Sequence, residues 1–121
     1  MNETILIEYY LSLLGQIKLF HWSAMKYSIH IALDKLYSNL SDNIDKFIES
    51  YIGKYKKQPL PSFTIKTTAT SDINNIQLYL ENQREYLKKI RNNLNKSPDL
   101  QNIIDEMTGN INQTIYLINL E

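Results

Sequence analysis

The sequence predicts an all-α fold, a bundle of four helices with one long connection in the middle. Three observations carry this. Apolar residues recur at steps of three and four along most of the chain. Only three glycines and three prolines occur in 121 residues, which suits long helices better than many short strands. The helical pattern lapses only once for long, between Lys54 and Ser71.

The first helix is predicted over about 3–22, with Asn2 as its N-cap. Ile7, Tyr10, Leu14, Ile17 and His21 form one stripe, and Gly15 marks close packing. The second runs over about 27–52. Leu33, Leu36, Leu40, Ile44, Phe47 and Tyr51 are its core stripe, and Gly53 is its expected stop. Neither Gly nor Pro divides these two segments. A single helix of their joint length would reach roughly 75 Å, too long for a compact domain of this size, so a turn is expected within 23–28. Pro59, Pro61 and a threonine-rich stretch make 54–71 a crossover loop. The third helix covers about 72–95, with Ile73, Ile76, Leu80, Leu87, Ile90 and Leu94 apolar. Ser97-Pro98 then reads as an N-cap followed by proline at the first helical position. The fourth helix runs over 98–120, with Leu100, Ile103, Ile104, Met107, Ile111 and Ile115 facing inward. A long connection between the second and third helices is what a ferritin-like bundle needs.

Composition limits the chemistry. A hydrophobic fraction of 43% over 121 residues supports one domain, 1–121, with one core. The formal net charge is zero and cysteine is absent. No overall field draws the chain to nucleic acid or acidic membranes, and thiolate zinc sites, disulfides and cysteine nucleophiles are excluded. Glu3 and Glu8 precede any lysine, unlike a signal peptide, and no stretch is apolar enough to span a bilayer. A soluble, cytoplasmic protein is expected. There is no Gly-rich phosphate loop, no H-E-x-x-H and no Ser-His-Asp arrangement, so a hydrolase is not indicated. The Lys54–Lys57 run reads as a solvated loop.

The second helix carries a mirrored set of metal-ligand residue types. His30-x3-Asp34 is followed by Asp45-x3-Glu49, and the pairs 30/49 and 34/45 share a midpoint between Asn39 and Leu40. Ser38 and Ser41 flank that midpoint. Relative to Leu33, the four residues lie at roughly 60°, 100°, 120° and 160° around the helix, on one stripe beside the core. Asp34 and Asp45 are roughly 16 Å apart along the axis, too far for one ion within one helix. Two copies crossing antiparallel at the midpoint would join His30 and Asp34 of one chain to Asp45 and Glu49 of the other. Twofold contacts are the commonest in oligomers, and the serines would let the helices approach. Imidazole and carboxylate ligands suit ferrous iron, with zinc or manganese as substitutes. His21, on the apolar stripe of the first helix, could add a nitrogen. Against this stands the plain reading of an i, i+4 acidic pair as a solvated face and of a lone histidine as a core residue.

From His21-Trp22 to Glu49 the chain resembles the Dps-type mini-ferritins. That family has a His-Trp pair ending its first helix, then His-x3-Asp, then Asp-x3-Glu with its Asp eleven residues beyond the first. The resemblance implies a ferroxidase centre between twofold-related subunits. His21, His30 and Asp34 would come from one chain and Asp45 and Glu49 from its partner, with Trp22 beside the irons. It also implies oxidation of ferrous iron by peroxide or oxygen, and a hollow dodecamer that stores ferric mineral. Binding to DNA is not expected, because no Lys/Arg-rich tail precedes the first helix. The larger ferritins are excluded: no Glu here is followed three residues later by His. The competing expectation is a structural helical dimer or shell subunit with a vacant or relict metal site, to which a viral packaging role would belong.

Overall fold

The computed structural model describes residues 3–55, 62 and 64–120. The chain forms four helices, α1 (Glu3–Ser23), α2 (Tyr27–Tyr55), α3 (Ile73–Asn92) and α4 (Pro98–Ile118). There is no strand among the described residues. No described helix is long and apolar enough to cross a membrane. The expected Asn2 cap lies outside the described residues.

α2 is the organising element. All six residues of its predicted stripe are buried, together with Ile29, Ala32 and Asn43. Burying each large apolar side chain stabilises the fold by about 1.5–3 kcal/mol. Partners come from every helix: Leu13 and Ile17 on α1, Leu80 and Leu87 on α3, and Ile104 and Met107 on α4 join the same core.

The α1 stripe is rotated from the predicted one. Leu6, Tyr10, Leu13, Ile17 and Phe20 are its buried apolar positions, while Leu14 sits partly buried at the flank. This helix is apolar on several sides, so the sequence period fixes its inner face poorly.

Two predicted helix ends move for tertiary reasons. α2 continues through Gly53 to Tyr55. The Tyr55 hydroxyl meets the Ser97 hydroxyl at 2.7 Å, and the Lys54 ammonium donates to Asp99 at 2.9 Å. These contacts with the start of α4 hold the last turn helical, and a glycine without neighbours does not end it. Ser97 is the N-cap residue of α4 as expected, yet its side chain makes no cap hydrogen bond; the hydroxyl is engaged by Tyr55 instead. α3 starts after Asp72, whose carboxylate accepts from the Asn74 amide at 2.8 Å. It ends at Asn92 rather than 95: the Asn93 and Leu94 amides switch to the Ile90 and Arg91 carbonyls, both at 3.0 Å, and Gln101 of α4 donates to the Arg91 carbonyl at 3.1 Å.

Contacts fix the arrangement of the helices. The end of α2 meets the start of α4 through Tyr55 and Ser97, and the end of α4 meets the start of α3 through Asn119 and Gln77. The end of α2 and the start of α3 therefore lie at opposite ends of the bundle. Tyr9 packs on Tyr86 and Phe20 on Tyr79, with ring centroids 4.4 and 5.3 Å apart, which sets α1 antiparallel to α3. The described part of the α2–α3 connection lies against α1. Buried Gln16 donates to the Thr68 carbonyl at 2.8 Å and accepts from the Thr68 amide at 2.9 Å. At the preceding residue, a Cβ on Gly15 would sit 3.2 Å from Ile65 Cδ1. Gly15 does mark a close approach, that of the connection onto the helix.

Candidate functional site

The turn 24–26 folds α2 back along α1 and brings the two histidines of the chain together. Their rings stack with centroids 3.8 Å apart and planes 22° from parallel. His21 Nδ1 lies 2.9 Å from the His30 carbonyl oxygen, and His30 Nδ1 lies 2.9 Å from the His21 carbonyl oxygen. A carbonyl oxygen only accepts, so both Nδ1 atoms carry the proton and donate. In the neutral ring the lone pair is then on Nε2. This reciprocal lock fixes tautomer and ring orientation together, the role that carbonyl partners play behind metal-bound histidines.

Asp34, one turn beyond His30, places a carboxylate oxygen 3.9 Å from His21 Nε2. The His21 side chain is 10% exposed and that of Asp34 55%. The pair therefore joins an imidazole held in the bundle to a carboxylate that still faces solvent.

Asp45 and Glu49 stand further along the same exposed stripe of α2. Among the described residues, neither pairs with a Lys or Arg, and no three His, Asp or Glu side chains of one chain gather into a group able to hold a metal ion. The five predicted residues thus divide in two. His21 stacks on His30 and approaches Asp34, without the three forming a metal-holding group, and Asp45 and Glu49 lie further along α2. Ser38 is exposed and Ser41 partly so, on the stretch between the two sets.

Two residues that make tertiary contacts were not singled out, and the first of them lies on this face. Lys18 sets its ammonium 4.5 Å from the centre of the Tyr37 ring and 5.7 Å from that of Trp22, so it bridges α1 and α2 beside the histidines by cation–π attraction. Trp22 itself is 69% exposed. Gln16 is the second, holding the connection as described above. Its only sequence signal is a polar residue set among apolar ones on α1.

Fold and site together define an all-helical four-helix bundle with an imidazole–carboxylate face on its first two helices. The chain belongs to a family of unknown function, DUF5856, whose model matches residues 21–118. That match begins at His21 and takes in the other four candidate residues. The chain is also similar to an uncharacterized 14.6 kDa protein of Enterobacteria phage T4 from the mobD-ri intergenic region. The two are 32% identical over 102 residues, covering 84% of this chain and 75% of the phage protein. No solved structure matches.

Proposed function

We propose that this protein is a mini-ferritin-like ferroxidase of the Dps type, working as a homodimer. The bundle is read as ferritin-like, with the connection from α2 to α3 as its long crossover. Two α2 helices cross antiparallel at the midpoint between Asn39 and Leu40. Each ferrous site then takes His21, His30 and Asp34 from one chain and Asp45 and Glu49 from its partner, giving two sites per dimer. The observation that carries this reading is the reciprocal histidine lock. A pair of buried or half-buried histidines whose Nδ1 protons are both consumed by carbonyls keeps two Nε2 lone pairs for a cation, and one of them faces a carboxylate.

Ferrous iron is the substrate. Asp34, Asp45 and Glu49 supply the hard, anionic oxygens that favour the ferric product over the ferrous reactant. His21 and His30 orient the site, and Glu49 is the candidate bridge between two ions. Peroxide accepts one electron from each of two ferrous ions and, with two protons, leaves as two waters. Trp22 lies one residue from His21, where it could absorb stray oxidising equivalents. A hollow dodecamer is the larger assembly this reading implies, and zinc or manganese would compete for the same ligands.

A structural dimer or shell subunit with a relict site is the second reading. It is favoured by the separation of Asp45 and Glu49 from the histidines within one chain. Anaerobic ferrous titration followed by peroxide distinguishes the two. The ferroxidase reading expects stoichiometric binding and a fast ferric absorbance, both lost in the double variant Asp45→Ala, Glu49→Ala. Slow oxidation at the same rate with and without the protein would leave only the structural dimer.

A further inference from the structure

The exposed stripe of α2 holds more than the candidate ligands. Tyr27 at its start is 79% exposed, Ile31 44%, and Ile52 near its end 36%. All three are large apolar residues that the fold leaves uncovered. Two of them share one numerical relation: Tyr27 and Ile52 have the midpoint between Asn39 and Leu40, as do Ile31 and half-buried Ile48. That is the midpoint of the pairs His30/Glu49 and Asp34/Asp45. Apolar residues thus face apolar residues across the same dyad, with Ile31/Ile48 between the two candidate ligand pairs and Tyr27/Ile52 beyond both. The groove between Tyr27, Ile31 and Ala32 on α2 and Leu117 and Leu120 at the end of α4 has a volume of about 330 Å³.

We propose that the occupant of this groove is a second copy of the chain, and that Tyr27 of each protomer packs on Ile52 of its partner, forming two apolar clasps outside the candidate ligands. The inference rests on the dyad proposed above and adds the contacts that hold it together. Geometry makes it demanding. Tyr27 and Ile52 each lie about 19 Å from the midpoint along the axis. At the shallow crossing of about 20° found in most helix bundles, the two axes diverge sideways by about 6–7 Å at that distance, within reach of a tyrosine. At about 50°, the other common class, the divergence is about 16 Å and the clasp cannot close. Apolar contact at both ends therefore selects the shallow antiparallel crossing, the one that also brings His30 near the partner's carboxylates.

Because the chain has no cysteine, introduced thiols report the register directly. Tyr27→Cys and Ile52→Cys chains, mixed at equal concentration with EDTA and a short thiol-reactive bismaleimide, are expected to give covalent dimers. Either variant alone should give at least about tenfold less, since its two thiols would stand about 37 Å apart. The double variant Tyr27→Ser, Ile52→Ser should weaken the dimer measured by sedimentation at least about tenfold. Leu78→Ser, at an exposed apolar residue on α3, should leave it unchanged. Equal cross-linking by each variant alone, no cross-linking by the mixture, or a wild-type chain that sediments as a monomer at all concentrations would overturn the clasp. Metal is absent throughout, so this result is separate from the ferrous titration. Cross-linking without iron oxidation keeps the clasp and rejects the ferroxidase reading. Iron oxidation without cross-linking rejects the clasp and leaves the ligand set to another arrangement.

Discussion

The two faces of α2 are the most instructive contrast in the molecule. Leu33, Leu36, Leu40 and Phe47 on one face are almost wholly buried, and each is accounted for by the core it fills. Asp34, Asp45 and Glu49 on the other face are exposed. Among the described residues, Asp34 is paired with a histidine, and no Lys or Arg pairs with Asp45 or Glu49. Elsewhere on the bundle two carboxylates do meet cations: Arg91 grips Asp105 at 2.7 Å, and Lys54 pairs with Asp99. One helix thus has a face that the core accounts for and a face left to solvent or to a partner. The second kind is where a functional proposal has most content.

Substitutions on the two faces should separate cleanly. Phe47→Ala is expected to cost about 3–5 kcal/mol of stability, read by urea unfolding, because it opens a cavity in a closed core. Its effect on iron chemistry should follow only from the fraction unfolded. Asp45→Ala with Glu49→Ala should do the reverse. Ferrous oxidation falls at least about 100-fold, as for loss of direct ligands, while stability stays within about 0.5 kcal/mol. If that variant unfolds instead, the outer face belongs to folding after all and the contrast is lost.

Smaller effects sharpen the picture of the inner face. Gln16→Ala removes both bonds to Thr68 and is expected to cost about 1–3 kcal/mol, with faster proteolysis of the 64–70 segment as the companion readout. Tyr10 tests the opposite kind of burial. Its hydroxyl is buried without a partner, and burial, reinforced by nearby Tyr86, pushes its phenol well above the ordinary value. Tyr9 is pushed the same way, by burial first and then by Tyr10, Tyr79 and Tyr86. The folded state therefore holds these protons more tightly than the unfolded chain, whose tyrosines ionise near about pH 10. Stability should be fully present below that value and fall as pH rises through it and above. Tyr10→Phe should be neutral or slightly stabilising at pH 7, since it deletes an unpaired buried hydroxyl. It should also flatten the alkaline decline, measured as the urea midpoint between pH 7 and 11.

What could be read from the residues depended on how local the cause was. The α2 core stripe was legible because one face alone carries its leucines and its phenylalanine. The α1 face was not, since Leu6 and Ile7, and Leu13 and Leu14, offer two nearly equivalent stripes; only packing against α2 and α3 chooses between them. Gly53 looked like a stop because its sequence neighbours say nothing of Ser97 and Asp99, more than forty residues away. The mirrored spacing of His30, Asp34, Asp45 and Glu49 was visible at once. The histidine lock was not, because it depends on how tightly 24–26 turns. His21 and His30 are nine positions apart on different helices, and no periodicity implies that their rings stack.

The shared site is tested most directly by complementation. Chains carrying His30→Ala and Asp34→Ala are mixed, unfolded and refolded with chains carrying Asp45→Ala and Glu49→Ala, each pure variant being inactive in ferrous oxidation. In a dyad-related dimer, half of the random pairs are mixed, and each mixed pair rebuilds one intact site and one doubly broken one. Activity should return to about a quarter of the wild-type value. A mixture as inactive as its components would contradict a site built from two chains.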